Sequence, residues 1–349
     1  MITLPGLIDT HVHLREPGAT HKEDFETGTS AAVAGGYTTV LDMPNNPEPT
    51  ITPGALQRKI NLATKRIYSD VGFHFGATIN SSQYFQQIKD KVFGLKVYMN
   101  HTTGTLLQED PKILQIIFEK WPKDKVLMVH AEGETLQKAI DLARKNNNKL
   151  HVCHVSLASE IRLIQQAKVQ GLSISCEVTA HHLFLTKNDA KRLGVFGMMR
   201  PPLENPDVLW KAIADRTIDM IASDHAPHTK EEKLGPNPPN GVPGLETTLP
   251  LLLTAAYEGK LTIEDIIRLC HTNPAKIFNI PVQKDTFVEI DPTIRYTLYA
   301  RRLYTKCKWT PFQGKRVKGK VKRVVLRGQT IFKDGEIIGN PRGKVISPL

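Results

Sequence analysis

Eight short apolar runs, each followed by a stretch of helical character, organise this chain up to about residue 280. The runs lie at 6–13, 37–43, 71–77, 94–99, 126–130, 151–155, 173–178 and 219–223. The segments between them include amphipathic stretches such as 135–145 and 158–168. Short strands alternating with helices are the pattern of parallel βα units. Eight such units predict an α/β fold, a (β/α)8 barrel of the TIM type. A last helix is expected at 262–269, behind a loop at 235–244 that is rich in Pro and Gly and free of acids. Beyond Pro281 the pattern changes to short strands at 286–290, 317–326 and 330–332, with Lys333-Asp334-Gly335 as a turn. The chain therefore divides into a barrel at 1–280 and a small β-rich appendage at 281–349.

In such a barrel the chemistry gathers at the carboxyl ends of the strands, and here polar residues collect where the apolar runs stop. His11 and His13 end the first run, Asn45 follows the second, Lys96 lies within the fourth and His130 ends the fifth. Cys153 and His154 lie in the sixth run, Glu177 in the seventh, and Asp224 follows the eighth. One or two histidines at strand ends are commonly satisfied structural residues. Candidate ligands on six of eight strands are hard to explain that way.

His11-Val12-His13 alternates on a strand, so both imidazoles face one side. Two neutral nitrogens that close suit a divalent metal, although the pair alone is a weak signal. Asp224 strengthens it, because the last strand closes the barrel beside the first. His130 and His154 would form a second metal position across the mouth, and two ions about 3.5–4 Å apart need a bridging anion. Lys96 sits between the two sets in strand order. An ammonium cannot ligate a cation, but desolvation favours the neutral amine of a lysine. That amine can react with carbon dioxide to give an anionic, two-oxygen carbamate. The residues alone leave this reading open beside that of a lysine paired with a carboxylate.

A more specific likeness runs through these segments. Gly6-Leu7-Ile8-Asp9-Thr10-His11-Val12-His13-Leu14-Arg15-Glu16-Pro17-Gly18 resembles the signature of the dihydroorotases, members of the cyclic amidohydrolase superfamily. Met43-Pro44-Asn45, Gly94-Leu95-Lys96-Val97-Tyr98, Val129-His130-Ala131-Glu132, Cys153-His154-Val155 and Ser223-Asp224-His225-Ala226-Pro227-His228 are similar to that family in the same order. Asn273-Pro274-Ala275-Lys276-Ile277-Phe278 and Trp309-Thr310-Pro311-Phe312-Gln313-Gly314 carry the likeness into the tail. It covers essentially the whole chain and is greatest towards the dihydroorotase domain of animal multifunctional pyrimidine-synthesis proteins.

The resemblance implies one zinc held by His11, His13, Asp224 and a carbamylated Lys96, and a second held by that carbamate, His130 and His154. Cys153 and Glu177 match positions of a third zinc near His11, though a buried Cys and Glu on neighbouring strands would equally serve structure. The implied reaction is the reversible cyclisation of N-carbamoyl-L-aspartate to (S)-dihydroorotate in de novo pyrimidine (UMP) biosynthesis. Water shared by two zinc ions becomes hydroxide near neutral pH and attacks the ring amide. Asp224 takes its proton and returns it to the leaving nitrogen, one group serving as base and then acid.

Arg15 offers the planar two-donor fork suited to the substrate's free carboxylate, and Asn45 adds a donor. By resemblance His228 completes this pocket and Arg200 faces the substrate. The loop Asn100-His101-Thr102-Thr103-Gly104 has the polar, glycine-ended make-up of a mobile lid, with Thr102 as its substrate-facing threonine. Animal-type domains place an aromatic beside that threonine, where this chain has Thr103. Hydantoinases (dihydropyrimidinases) and allantoinases share barrel, metals and carbamate, but their substrates lack a carboxylate placed this way. An inactive, dihydroorotase-like scaffold would have lost ligands, and every expected one is present.

Composition adds bounds. No stretch approaches the roughly 18 uninterrupted apolar residues of a membrane span, and the first residues have neither the basic start nor the apolar run of a signal peptide. These features predict a cytoplasmic protein. Four cysteines (153, 176, 270 and 307) in such a chain do not imply disulfides. The net charge of +11 equals the eleven basic residues between Arg301 and Arg327, a window with no acid. Part of it, in 318–326, alternates with apolar residues as on a half-exposed strand, which makes a nucleic-acid surface the lesser reading. The resemblance further implies a small-molecule substrate, a homodimer and an aspartate transcarbamoylase partner. Relatives often carry, ahead of the first barrel strand, a segment that adds strands to the appendage. Here that barrel strand starts within a few residues of Met1, so the chain reads as an excised or naturally trimmed domain and the completeness of its appendage is left open.

Overall fold

In the computed structural model, which describes residues 1–349, each of the eight apolar runs forms parallel strand. They are β2 (Leu7–Val12), β3 (Tyr37–Asp42), β4 and β5 (Asp70–Phe73 and Phe75–Gly76), β6 (Gly94–Tyr98), β7 (Val126–His130), β8 (Lys149–Val152), β9 (Ile174–Thr179) and β10 (Met220–Ala222), preceded by β1 (Ile2–Pro5). One ladder runs β2-β3-β4 and another β5-β6-β7-β8-β9-β10. The third run breaks at His74, whose amide donates to Asp42 O at 3.0 Å and whose Nε2 stands 3.0 Å from Thr10 O. The ring closes where Val12 bridges His225 in parallel and the His13 amide donates to His225 O at 2.8 Å. Strand residues are buried almost throughout, as expected of strands with side chains on one face and helices on the other.

The crossover helices Glu134–Asn146 and Ala158–Val169 match the amphipathic stretches to within one or two residues. The helix expected at 262–269 is different: Ile263–Ile267 passes into a π turn at Arg268–Thr272 and then into Asn273–Phe278. Pro274 has no amide to donate to the carbonyl four residues back, so the ladder widens ahead of it.

The appendage is one antiparallel sheet containing β11 (Phe287–Thr297), β12 (Arg316–Leu326), β13 (Gln329–Lys333) and β14 (Glu336–Ile337). Its order is β1-β11-β12-β13-β14. β1 pairs with β11 from Ile2 opposite Ile290 to Pro5 opposite Phe287. The first residues thus supply an edge strand to the sheet formed by 281–349. Leu4 is fully buried, and Pro5, which has no amide to give a ladder, is tolerated at an edge. Along β12, Val317, Gly319 and Val321 are buried while Lys318, Lys320 and Lys322 are half-buried. Lys306, Lys322, Arg323 and Arg327 form ion pairs with Asp24, Asp334, Glu289 and Asp70. Much of the basic segment is thus a solvated strand face with local counter-charges.

One buried ion pair braces the barrel mouth. Lys59, from the helix Pro53–Ala63, lies 2.7 Å from Asp42 Oδ2, and both side chains are fully buried. Its Nζ also donates to Met43 O at 2.8 Å and Asn46 Oδ1 at 2.7 Å, while Asp42 Oδ1 accepts the Leu14 amide at 2.8 Å. Burial pushes the Asp42 carboxyl up and the Lys59 amine down, each opposed by its partner. Lys59→Met leaves a buried carboxylate without its cation and is expected to lower stability by about 3–5 kcal/mol. Urea unfolding checks this; a loss under about 1 kcal/mol means the pair is not a brace.

Candidate active site

β2 carries His11 within it and His13 one residue past its end, so both rings enter the barrel mouth. Asp224 follows β10 and meets them: its Oδ1 lies 3.1 Å from His13 Nε2 and 3.4 Å from His11 Nε2. Ligand atoms of His11, His13 and Asp224 all fall within 4.8 Å of one another, and so do those of His11, Cys153 and Glu177. Glu177 is clamped on its other side by His151 Nε2 at 3.1 Å and Thr10 Oγ1 at 3.4 Å. His130 Nδ1 stands 3.0 Å from His154 Nε2, and His154 Nδ1 is buried without a partner. Lys96 is fully buried. Its Nζ donates to Cys153 Sγ at 2.8 Å and lies 5.1 Å from the Tyr98 ring centre. No carboxylate of the chain pairs with it, so the alternative of an ion-paired lysine is not what the fold contains.

The electrostatics fit a cation. Burial opposes charge on His11, yet Glu177 and Asp224 outweigh it and push the imidazole up to about 10. Burial likewise resists ionisation of Asp224, but His11 and His13 hold its carboxyl well below the usual range. Burial lowers His130 and His154, keeping them neutral donors of lone pairs. Ionised carboxylates, neutral imidazoles and an unpartnered buried nitrogen make a donor set suited to divalent metal. The two imidazoles of His130 and His154 are too few donors by themselves for a tetrahedral ion.

Behind the donors, Asp9 accepts from the His11 amide at 3.1 Å and the Ser223 amide at 3.1 Å. It stitches the first barrel strand to the last, and burial pushes its carboxyl up to about 7. Arg15, His154 and Asp224 adopt φ values of 63°, 33° and 44°. Such left-handed backbone costs about 1–3 kcal/mol per non-glycine residue and persists where the surroundings enforce it.

A cleft opens beside the first donor group, lined by His13, Asp224, Arg15, Asn45, Thr102 and Arg200. Every one of these was singled out from sequence. Asn45 Oδ1 stands 2.8 Å from His13 Nδ1, and its Nδ2 donates to Thr103 O at 2.9 Å, seating the loop at 100–104 over the opening. Arg15 Nε donates to Pro227 O at 3.0 Å. His228 does not line the cleft: it is fully buried behind Arg15, with Nε2 3.1 Å from the guanidinium and 2.9 Å from Asn240 O. Lys22 Nζ lies 3.2 Å from His228 Nδ1. The lysine donates there, so Nε2 carries the proton and gives it to Asn240 O, and the Arg15 guanidinium packs against Nε2 without a hydrogen bond between two N–H groups. Asn240 and Gly241 also line the cleft and were missed; the Pro- and Gly-rich loop was visible, but nothing in its composition says which face it presents.

The sequence matches the amidohydrolase family over residues 2–292. The multifunctional protein CAD of Squalus acanthias is 46% identical over 348 residues, which is 98% of this chain and 15% of that protein. The dihydroorotase of Pyrococcus abyssi (strain GE5 / Orsay) is 38% identical over 367 residues, 99% of this chain and 87% of its own length. Among solved structures, the L-hydantoinase (dihydropyrimidinase) from Arthrobacter aurescens superposes with a TM-score of 0.94 at 26% identity, over 99% of this chain and 89% of that one. The ring of strand-end donors and the extent of these matches together make the chain a member of the amidohydrolase family, within its dihydroorotase group.

Proposed function

We propose that this chain is a metal-dependent dihydroorotase that opens and closes the cyclic amide of dihydroorotate, with N-carbamoyl-L-aspartate as the open form. One observation carries the substrate assignment. Arg15 is 5% exposed, its guanidinium donates to Pro227 O and lies 3.1 Å from His228, and no carboxylate of the chain pairs with it. A buried guanidinium facing a cleft with no carboxylate in ion-pair reach suits a ligand that brings one. Dihydroorotate has one; hydantoin and allantoin do not.

His11, His13, Asp224 and a carbamylated Lys96 would hold one zinc, and the carbamate, His130 and His154 a second. The convergence of His11, Cys153 and Glu177 supports a third. When bound, such ions supply Lewis acidity, polarising the amide carbonyl and acidifying water at neutral pH. Asp224 accepts the proton of the attacking water and delivers it to the leaving ring nitrogen, reversing these roles in cyclisation. Arg15 takes the substrate carboxylate in its two-donor fork, Asn45 and Arg200 flank it, and His228 packs behind the guanidinium. Thr102 and Thr103, on the loop over Asn45, restrict water at the mouth.

The deciding experiment measures zinc per chain and turnover of dihydroorotate, hydantoin and allantoin. At least two zinc ions per chain and turnover of dihydroorotate alone are expected. Metal-free protein inert towards all three would mean a scaffold, and faster hydantoin turnover would mean a hydantoinase. Within this scheme Arg15→Lys keeps the charge and loses the fork. Its kcat/KM for dihydroorotate is expected to fall on the order of 30- to 100-fold, mostly through KM. An unchanged KM would remove Arg15 from the carboxylate pocket.

A further inference from the structure

Lys233 lies in the five-residue helix Lys230–Leu234, which Thr229 and Glu232 open with reciprocal side-chain caps. It is fully buried, yet no carboxylate pairs with it. Its Nζ donates instead to Pro239 O at 2.8 Å and to Met198 O and Gly241 O at 3.3 Å each. The Trp309 ring centre is 5.5 Å away, and the Trp309 indole donates to His228 O at 2.6 Å. An ammonium has three N–H donors, and here all three end on backbone carbonyls. Burial pushes the amine down to about 8, and no acid beside it opposes the shift.

A buried cation without a counter-ion is costly to hold, so its value to the fold lies in what it connects. The three acceptors sit in irregular segments, where backbone carbonyls have no ladder to join. Asn240 stands between two of them, and Arg200 comes two residues after the third. Arg200, Asn240 and Gly241 all line the cleft. The Gly241 amide donates to Met198 O at 3.0 Å, tying the same two segments again. A Cβ at Gly241 would stand 2.8 Å from Ala226 O, so the wall has no slack. Asn240 O receives His228 Nε2 at 2.9 Å and Thr103 Oγ1 at 3.4 Å. The segment Lys233 anchors is thus the meeting point of the carboxylate pocket and the lid.

We propose that Lys233 is a positioning residue that sets the spacing of the Arg200 and Asn240–Gly241 walls around the substrate, an inference that rests on the dihydroorotase reading. It touches neither substrate nor metal ligand. Its removal should therefore loosen binding without touching the proton transfer at Asp224.

The test compares zinc-loaded wild type, Lys233→Met and Lys233→Arg. Lys233→Met is expected to raise KM for dihydroorotate about 10-fold, with kcat within about 3-fold of wild type and zinc per chain unchanged. Hydrogen exchange at the Gly241 amide, measured without substrate, should quicken about 10-fold in the same variant. Lys233→Arg, which keeps a cation, should fall between. Wild-type KM and exchange in Lys233→Met overturn the proposal, as do kcat and zinc content falling together with KM unchanged. Should Lys233→Met fail to fold, Lys233→Arg decides: a KM raised about 3-fold at constant kcat supports the role, and wild-type KM overturns it. A wild type inert towards dihydroorotate defeats the functional reading alone, since the exchange at Gly241 still judges Lys233.

Discussion

Lys96→Ala is expected to lose nearly all turnover of dihydroorotate, on the order of 10³-fold or more, and to retain at most half the zinc of the wild type. The physical reason is the lysine's isolation. Its amine has no exposure, no carboxylate in ion-pair reach and a thiol as its hydrogen-bond partner. Two imidazoles 3.0 Å apart await a further ligand beside it. A carbamate on Lys96 would supply that ligand and share its second oxygen with the group of His11, His13 and Asp224. On that proposal, removing the side chain would weaken both positions together. Zinc per chain and a carbamate resonance from 13C-labelled bicarbonate are the readouts. Wild-type rates in Lys96→Ala, or no carbamate resonance in fully active wild type, would overturn the role.

Asp224→Asn should lower kcat on the order of 10³- to 10⁴-fold while KM for dihydroorotate stays within a few-fold. The amide keeps the shape and one ligating oxygen but cannot take a proton. Asp224 lies 3.1 and 3.4 Å from the two imidazoles, and those neighbours hold it ionised against the effect of burial. Arg15, Asn45 and the lid are untouched by the change, which is why binding should survive it. Steady-state kinetics on variant reloaded with zinc separate the two terms. A kcat within tenfold of wild type would assign the proton transfer to another group.

Much of this was legible in the sequence because barrel chemistry has an address. Functional groups of such barrels stand at strand ends, so finding where eight apolar runs stop also finds the candidate ligands His11, His13, His130 and Asp224. The motifs were short-range, and short-range patterns survive without knowledge of tertiary contacts. Asn240 and Gly241 were not legible, because a Pro- and Gly-rich loop states that it turns, not what it turns toward. Lys233 was missed for a related reason: in Lys230-Glu231-Glu232-Lys233 it reads as an ordinary exposed charge. Only the fold shows that the chain bends back to surround it with carbonyls. β1 was missed because four residues carry little periodicity, and its partner in β11 lies about 285 residues away.

The backbone at Arg15, His154 and Asp224 has an evolutionary consequence. Left-handed conformations at non-glycine positions are held against their own preference, so relief is one substitution away. In a population selected for heat resistance alone, with no demand for turnover, glycine should accumulate at 15 and 154. Each such gain would raise the melting temperature while deleting a group the chemistry needs. On the proposed roles of Arg15 and His154, stability and catalysis thus compete at single positions of this chain.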